Sequence, residues 1–176
     1  HSAVEAVSES AAWLSVGRFT PEKGFVELVR DWPHEEPLLI VGDGPDQDEI
    51  ENAASKKLVQ VQSSIGRAEF RSRLVSSQGL IFPSRWFEAD PQVVVEAMAL
   101  GVPVIAFHMN AVARIVLESQ AGAVYSSAAE LAAALASVRA SRARMAVAAR
   151  DEFSRRWAKE RWIERITDLY EQVTCG

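Results

Sequence analysis

The chain has 176 residues, 48% of them hydrophobic and 24% charged, which fits one packed domain and excludes a pair of large domains or a disordered polymer. Its lone cysteine, Cys175, excludes an internal disulfide framework and a zinc site built on several cysteines. A net charge of −5 and the lack of a basic stripe interleaved with aromatics argue against nucleic acid as a partner, and no apolar run of about 18 residues offers a transmembrane helix.

The charge is uneven. Nine cations and four acids between Arg139 and Arg165 leave that segment at +5 and the rest at −10. Such a segment suits a solvated helical face, or a partner or membrane surface. The chain opens on His1 without a leader pattern, so it reads as a piece of a longer protein, expected in the cytoplasm with any membrane contact peripheral.

Short apolar runs alternate with helix-sized segments along the chain. Ala12–Val16 reads as a strand, followed by a helix over Glu22–Asp31 with Phe25, Val26, Leu28 and Val29 apolar. The strand Leu38–Val41 precedes a polar, amphipathic helix over Gln47–Lys57. Val59–Val61 precedes a helix over Ala68–Ser76, with Phe70, Leu74 and Val75 on one side. Leu80–Phe82 leads into the almost wholly apolar Pro91–Leu100, expected to be a buried helix. Val102–Ala106, Val112–Ser119, Ala123–Tyr125 and Ala128–Val138 continue the alternation.

Runs this short read as strands buried on both faces. The order predicts an α/β domain over residues 1–140: a Rossmann-like, doubly wound parallel sheet of about six strands with helices on both faces. From Ser141 no strand is readable. Residues 141–176 read as two helices, about Ser141–Phe153 and Glu160–Val173, packing back on the domain. Trp157, Trp162, Ile166, Leu169 and Tyr170 form their apolar stripe.

Ligands of open parallel sheets bind beyond the carboxyl ends of the strands, so the strand-to-helix loops carry the chemistry. In the first loop, Gly17 lets the backbone approach a ligand, and Arg18 and Lys23 flank the next helix start, an arrangement suited to a diphosphate. A turn with solubilising charges is the plainer alternative. Gly42-Asp43-Gly44-Pro45 lacks the third glycine of a dinucleotide fingerprint and is not a Walker loop. In the third loop Asp90 is expected to cap a helix whose first residue is Pro91. Glu88 lies just before that helix, and Glu96 stands on its second turn, roughly 7–8 Å along the axis from Pro91. Three Glu-x7-Glu pairs occur among seventeen glutamates, and only Glu88/Glu96 straddles a strand-to-helix loop. An ionised Glu96 in an apolar helix needs a partner, whether a sugar hydroxyl pair, a backbone group or an arginine. Trp86 either lines the cleft or anchors its loop, and His108 reads as a spectator.

Ser15 to Gly24, Leu39 to Pro45, and Phe82 to Ala106 together resemble the donor-side motifs of GT-B-fold retaining glycosyltransferases of the family-4, group 1 type. The similarity runs in order over about Ala12 to Val138. The resemblance implies that this is the C-terminal, donor-binding domain of such an enzyme. Arg18 and Lys23 would hold the donor diphosphate beside Gly17. Glu96 would bind the ribose hydroxyls, and Ile65 would pack near the base. Glu88 would act catalytically at the transferred sugar, with backbone N–H groups around Ala89, Asp90, Gln92 and Val93 meeting sugar and phosphate. No metal or other cofactor is implied beyond the nucleotide-sugar substrate. An acceptor (saccharide, lipid or other molecule) would bind an absent N-terminal domain, leaving the isolated chain inactive.

The chain departs from that family pattern at Ala89-Asp90, at Ser63, and at Asn110-Ala111-Val112-Ala113-Arg114, where a glycine-rich run is usual. These departures keep a second reading in play, a degenerate, non-catalytic interaction domain of the same fold. A relative of sugar-nucleotide epimerases or glucan phosphorylases is a third.

Overall fold

The computed structural model describes residues 12–88 and 91–159, together with residues 161, 163, 166, 167 and 170. Six parallel strands form one sheet in the order β3-β2-β1-β4-β5-β6: β1 Trp13–Val16, β2 Leu38–Val41, β3 Val59–Gln62, β4 Leu80–Phe82, β5 Val104–Phe107 and β6 Gly122–Tyr125. Among the described residues five helices connect them, α1 Phe25–Asp31, α2 Gln47–Ala54, α3 Arg67–Ser76, α4 Gln92–Leu100 and α5 Ala111–Ser119, and α6 Ala128–Arg156 follows β6. This is the doubly wound α/β arrangement expected from the sequence.

The strands sort their side chains by period two into two cores. Trp13, Leu38, Ile40, Ile81, Ile105 and Phe107 face one layer, shared with α1, α2 and the first half of α6. Leu14, Leu39, Val41, Leu80, Phe82, Val104 and Ala106 face the other, shared with α3, α4 and α5. The continuous apolar runs of the central strands follow from burial on both faces. β3 and β6 do not share that burial: they are the two edges of the sheet, and most of their residues are half-exposed.

Helix α6 serves both layers. Leu131, Ala134, Leu135, Val138 and Met145 belong to the first core, whereas Ala149 belongs to the second, with Phe153 and Trp157 packed against it. The helix bends at Ser141, whose φ of −120° and ψ of 16° leave the helical region. The basic charge of the segment is largely engaged in holding it down. Arg139 pairs with Glu36 at 2.7 Å, and Arg142 donates to the carbonyls of Ser77 and Gln78. Arg150 donates to the Leu100 carbonyl at the end of α4. Buried Glu152 accepts from Arg155 and Arg156 at 2.6 and 2.7 Å. The second tail helix over Glu160–Val173, with Trp162 and Leu169, falls mostly outside the described residues, and Cys175 lies outside them. Among the described residues no helix is long and apolar enough to cross a membrane.

Candidate functional site at the sheet switch point

Strand order reverses between β1 and β4, which register at a single pair, Leu14 with Leu80. Beyond it the buried Ser15 hydroxyl donates to the Ile81 carbonyl at 2.9 Å, standing in for the backbone ladder as the strands part. Crevices at such reversals are the usual ligand sites of open α/β sheets.

The loops leaving the carboxyl ends are stitched together in series. Phe19 N–H donates to the Asp43 carbonyl at 2.9 Å, and Asp46 N–H donates to the Phe19 carbonyl at 3.1 Å. The backbones come so close that a Cβ on Gly42 would overlap the Gly17 carbonyl, and one on Gly44 would overlap the Phe19 carbonyl. That close approach accounts for the two glycines of Gly42-Asp43-Gly44. Asp43 in turn accepts from Ser64 N–H at 2.9 Å. Hydrogen bonds from the Ser64 side chain and backbone hold the Asp43 carboxyl below its ordinary range. On the other side Arg85 N–H donates to the Glu22 carbonyl at 2.9 Å. The Arg85 guanidinium lies 4.5 Å from the Phe107 ring centre. Asn110 closes the series: its Nδ2 donates to the Ser84 carbonyl at 2.7 Å, and its Oδ1 caps α5 by accepting from Ala113 N–H at 3.0 Å.

Two adjoining lobes open over this framework. The smaller, about 450 Å³, is lined by Gly17, Arg18, Lys23, Phe25, Ser84, Glu88 and Val93 among others. The larger, about 950 Å³ and open to solvent, is lined by Gly17, Arg18, Gly42, Asp43, Ile65, Arg67, Val93 and Glu96 among others. Gly17, Arg18 and Val93 border both. The two cations and two acids singled out in the sequence therefore share one crevice.

Lys23 Nζ lies 2.7 Å from Glu88 Oε1, with both side chains mostly covered. Arg18 is exposed and has no ion-pair partner among the described residues. Glu96 Oε1 lies 2.9 Å from Arg67 Nη2, while its Oε2 is buried without a hydrogen-bond partner among the described residues. Glu22 stands in the cationic loop as well, and the Thr20 hydroxyl, donating at 2.7 Å, holds its carboxyl below the ordinary range.

Several expectations change. The helix over Glu22–Asp31 is divided: Pro21–Lys23 forms a 3-10 turn, and α1 begins at Phe25. Gly24 separates them at φ 70°, a left-handed conformation that glycine adopts without strain. Pro91 is the cap of α4 rather than its first residue, because its ψ of 82° is non-helical and its carbonyl accepts from Val94 and Val95. Gln92 is exposed and lines neither lobe. Ala89 and Asp90 lie outside the described residues. Trp86 is exposed and lines neither lobe, as is His108, whose ring packs edge-on against Phe107 at 4.7 Å. Sequence reasoning missed Arg67, Ser64 and the bridging role of Asn110. Only the Gly66-Arg67 step after β3 hinted at the first. Among the described residues no group of three or more His, Cys, Asp or Glu is placed to hold a metal ion.

Residues 2–158 match the family model of glycosyl transferases, group 1. An uncharacterized glycosyltransferase of Haemophilus influenzae is 31% identical over 111 residues, covering 58% of this chain and 31% of that protein. The amylovoran biosynthesis glycosyltransferase AmsD of Erwinia amylovora is 33% identical over 99 residues, covering 53% of this chain and 28% of that protein. The fold superposes on Anabaena Alr3699/HepE, solved in complex with UDP-glucose, with a TM-score of 0.75 at 19% identity, covering 92% of this chain and 49% of that one. The chain thus spans about a third of the length of the curated relatives it matches. A family match across nearly the whole chain, on a sheet whose switch point gathers its charged residues, places the protein among the group 1 glycosyl transferases.

Proposed function

We propose that this chain is the donor-binding half of a retaining glycosyltransferase that transfers a sugar from a nucleoside-diphosphate sugar to an acceptor. The observation that carries the reading is the convergence of Arg18, Lys23, Glu88 and Glu96 on one crevice where β1 and β4 part.

Each group has a role its chemistry suits. Arg18 and Lys23 supply positive charge for a diphosphate, Arg18 as a planar donor fork and Lys23 as a point charge. Glu96, partly sheltered on α4, accepts hydrogen bonds from the ribose, and Ile65 in the same lobe offers an apolar contact for the base. Glu88, in the smaller lobe with the cations, is the catalytic residue at the transferred sugar, where a carboxylate stabilises developing positive charge. Backbone N–H groups near Ala89, Asp90, Gln92 and Val93 complete the sugar and phosphate contacts. The departing nucleotide is stabilised by the two cations, with no metal required. Superposition on a nucleotide-sugar complex from Anabaena supports a ligand of this class.

The chain divides functionally near residue 140, close to the bend of α6 at Ser141; the helix passes from one core to the other beyond Met145. The segment beyond it reaches toward the rest of the protein, which binds the acceptor as an N-terminal domain. The chain alone then binds donor without appreciable transfer. We place the whole protein in the cytoplasm, with membrane contact at most peripheral. The degenerate, non-catalytic alternative is not favoured, because all four charged groups are retained around one space.

Calorimetric titration with UDP-, GDP- and ADP-sugars tests the proposal. One of them is expected to bind in the micromolar to millimolar range, and silence with all three at millimolar concentration refutes it.

A further inference from the structure

Glu96 combines two features that folding alone does not explain. One carboxylate oxygen is engaged by Arg67 Nη2 at 2.9 Å, and the other, Oε2, is buried with no hydrogen-bond partner among the described residues. Leaving a buried carboxylate oxygen without a donor is unfavourable. The partner is also unusually free: the Arg67 side chain is 76% exposed, against 21% for Glu96. Ion pairs with so exposed a member contribute little to stability. Both residues line the larger lobe, Arg67 from the first position of α3 and Glu96 from the second turn of α4.

We infer that Arg67 is a positioning residue for recognition of the donor's ribose, an inference that rests on the reading of Glu96 given above. By engaging Oε1, the guanidinium holds the carboxylate in one orientation. Oε2 is then left for a hydroxyl that the ligand supplies. Each carboxylate oxygen has more than one lone pair, so a bound ribose need not displace Arg67. The planar fork of arginine fixes a direction that the rounded ammonium of lysine does not.

This arrangement selects by what is left unpaired. A ligand with ribose hydroxyls satisfies Oε2, whereas one without them leaves the oxygen stranded. Arg67 therefore governs the preference for ribose over a hydroxyl-free sugar ring more than it governs the fold.

Titration of the chain with UDP, GDP and ADP identifies the nucleoside diphosphate that the wild type binds, and its 2′,3′-dideoxy counterpart then measures the hydroxyl preference. The wild type is expected to favour the ribo form by about tenfold or more. Arg67→Ala is expected to bind the ribo form about tenfold more weakly, bind the dideoxy form as the wild type does, and so lose the preference. Arg67→Lys should restore part of it, and Glu96→Gln should abolish it. Thermal melting of each variant checks that the fold is intact.

A full hydroxyl preference in Arg67→Ala, alongside its loss in Glu96→Gln, overturns the role of Arg67 and leaves the donor-site reading standing. Tighter ribo binding by Arg67→Ala also overturns it, because the guanidinium would then compete with the ribose. A preference kept by Glu96→Gln removes the ribose assignment of Glu96 and this inference with it. Failure of the wild type to bind any of the three diphosphates overturns the donor-site reading itself.

Discussion

Lys23 and Glu88, 65 residues apart in sequence, meet at 2.7 Å across the smaller lobe. In the proposed site the ammonium has two claimants, this carboxylate and the donor diphosphate. Glu88→Gln weakens the first, and binding of a nucleoside diphosphate to the chain is expected to tighten by about 0.5–1 kcal/mol, roughly two- to fivefold. Lys23→Ala should weaken it by at least as much. Calorimetry reads both, and weaker binding in Glu88→Gln contradicts the competition. On the proposed reading, the same Glu88→Gln change in the longer protein is expected to abolish sugar transfer.

Arg18 lies exposed at the junction of the lobes with no ion-pair partner among the described residues. Arg18→Ala is expected to cost about 1.5–3 kcal/mol of nucleoside-diphosphate binding, the value of hydrogen bonds to a charged group. Binding of the free nucleoside should change little. Equal losses for both ligands, measured side by side, remove the diphosphate assignment.

Gly44 sits where a Cβ would overlap the Phe19 carbonyl, and the loop after β1 cannot retreat without losing its bonds to Asp43 and Asp46. Gly44→Ala is expected to destabilise the fold by about 2 kcal/mol or more. Urea unfolding measures the change as a lower midpoint with an unchanged slope.

Glu36 joins the loop before β2 to the far helix through Arg139, and the Arg139 hydrogen bond holds its carboxyl below 4.5. A carboxyl lowered in the folded state contributes stability above its unfolded pKa and loses it as pH falls through the folded one. The wild type should therefore lose melting temperature below about pH 4.5 more steeply than Glu36→Gln. The two melting curves, followed from pH 6 to pH 3, should converge at the acid end.

Much of the fold was legible because the central strands are apolar runs broken only by Ser15. β2 and β4 begin and end where the sequence indicates, between flanking prolines or glycines that stop them. The edge strands were harder. β3 alternates valine and glutamine with little buried, and its last residue, Gln62, reads as polar loop. Gly24 divided a helix that composition alone would have kept whole, since only its left-handed backbone angle breaks the run. The site divides in the same way. Arg18, Lys23, Glu88 and Glu96 occupy loop and helix positions set by local pattern, so they were found. Arg67 reaches Glu96 only because α3 begins one residue earlier than its apolar pattern suggests, at Arg67 rather than Ala68, and because a long exposed side chain folds across the crevice. Asn110 reads as a departure from a glycine-rich run, yet it joins the loop after β4 to α5 through two hydrogen bonds that no spacing rule announces.

Arg150 of α6 seals the far end of α4. Its guanidinium donates to the Leu100 carbonyl and lies against Gly101, so closely that a side chain at that glycine would collide with it. The helix bearing Glu96 is thus tethered at the end opposite the crevice by the segment beyond residue 140. Trimming that segment would not merely shorten the protein: it would unlatch the beam on which Glu96 stands and strip one wall from the core beneath it.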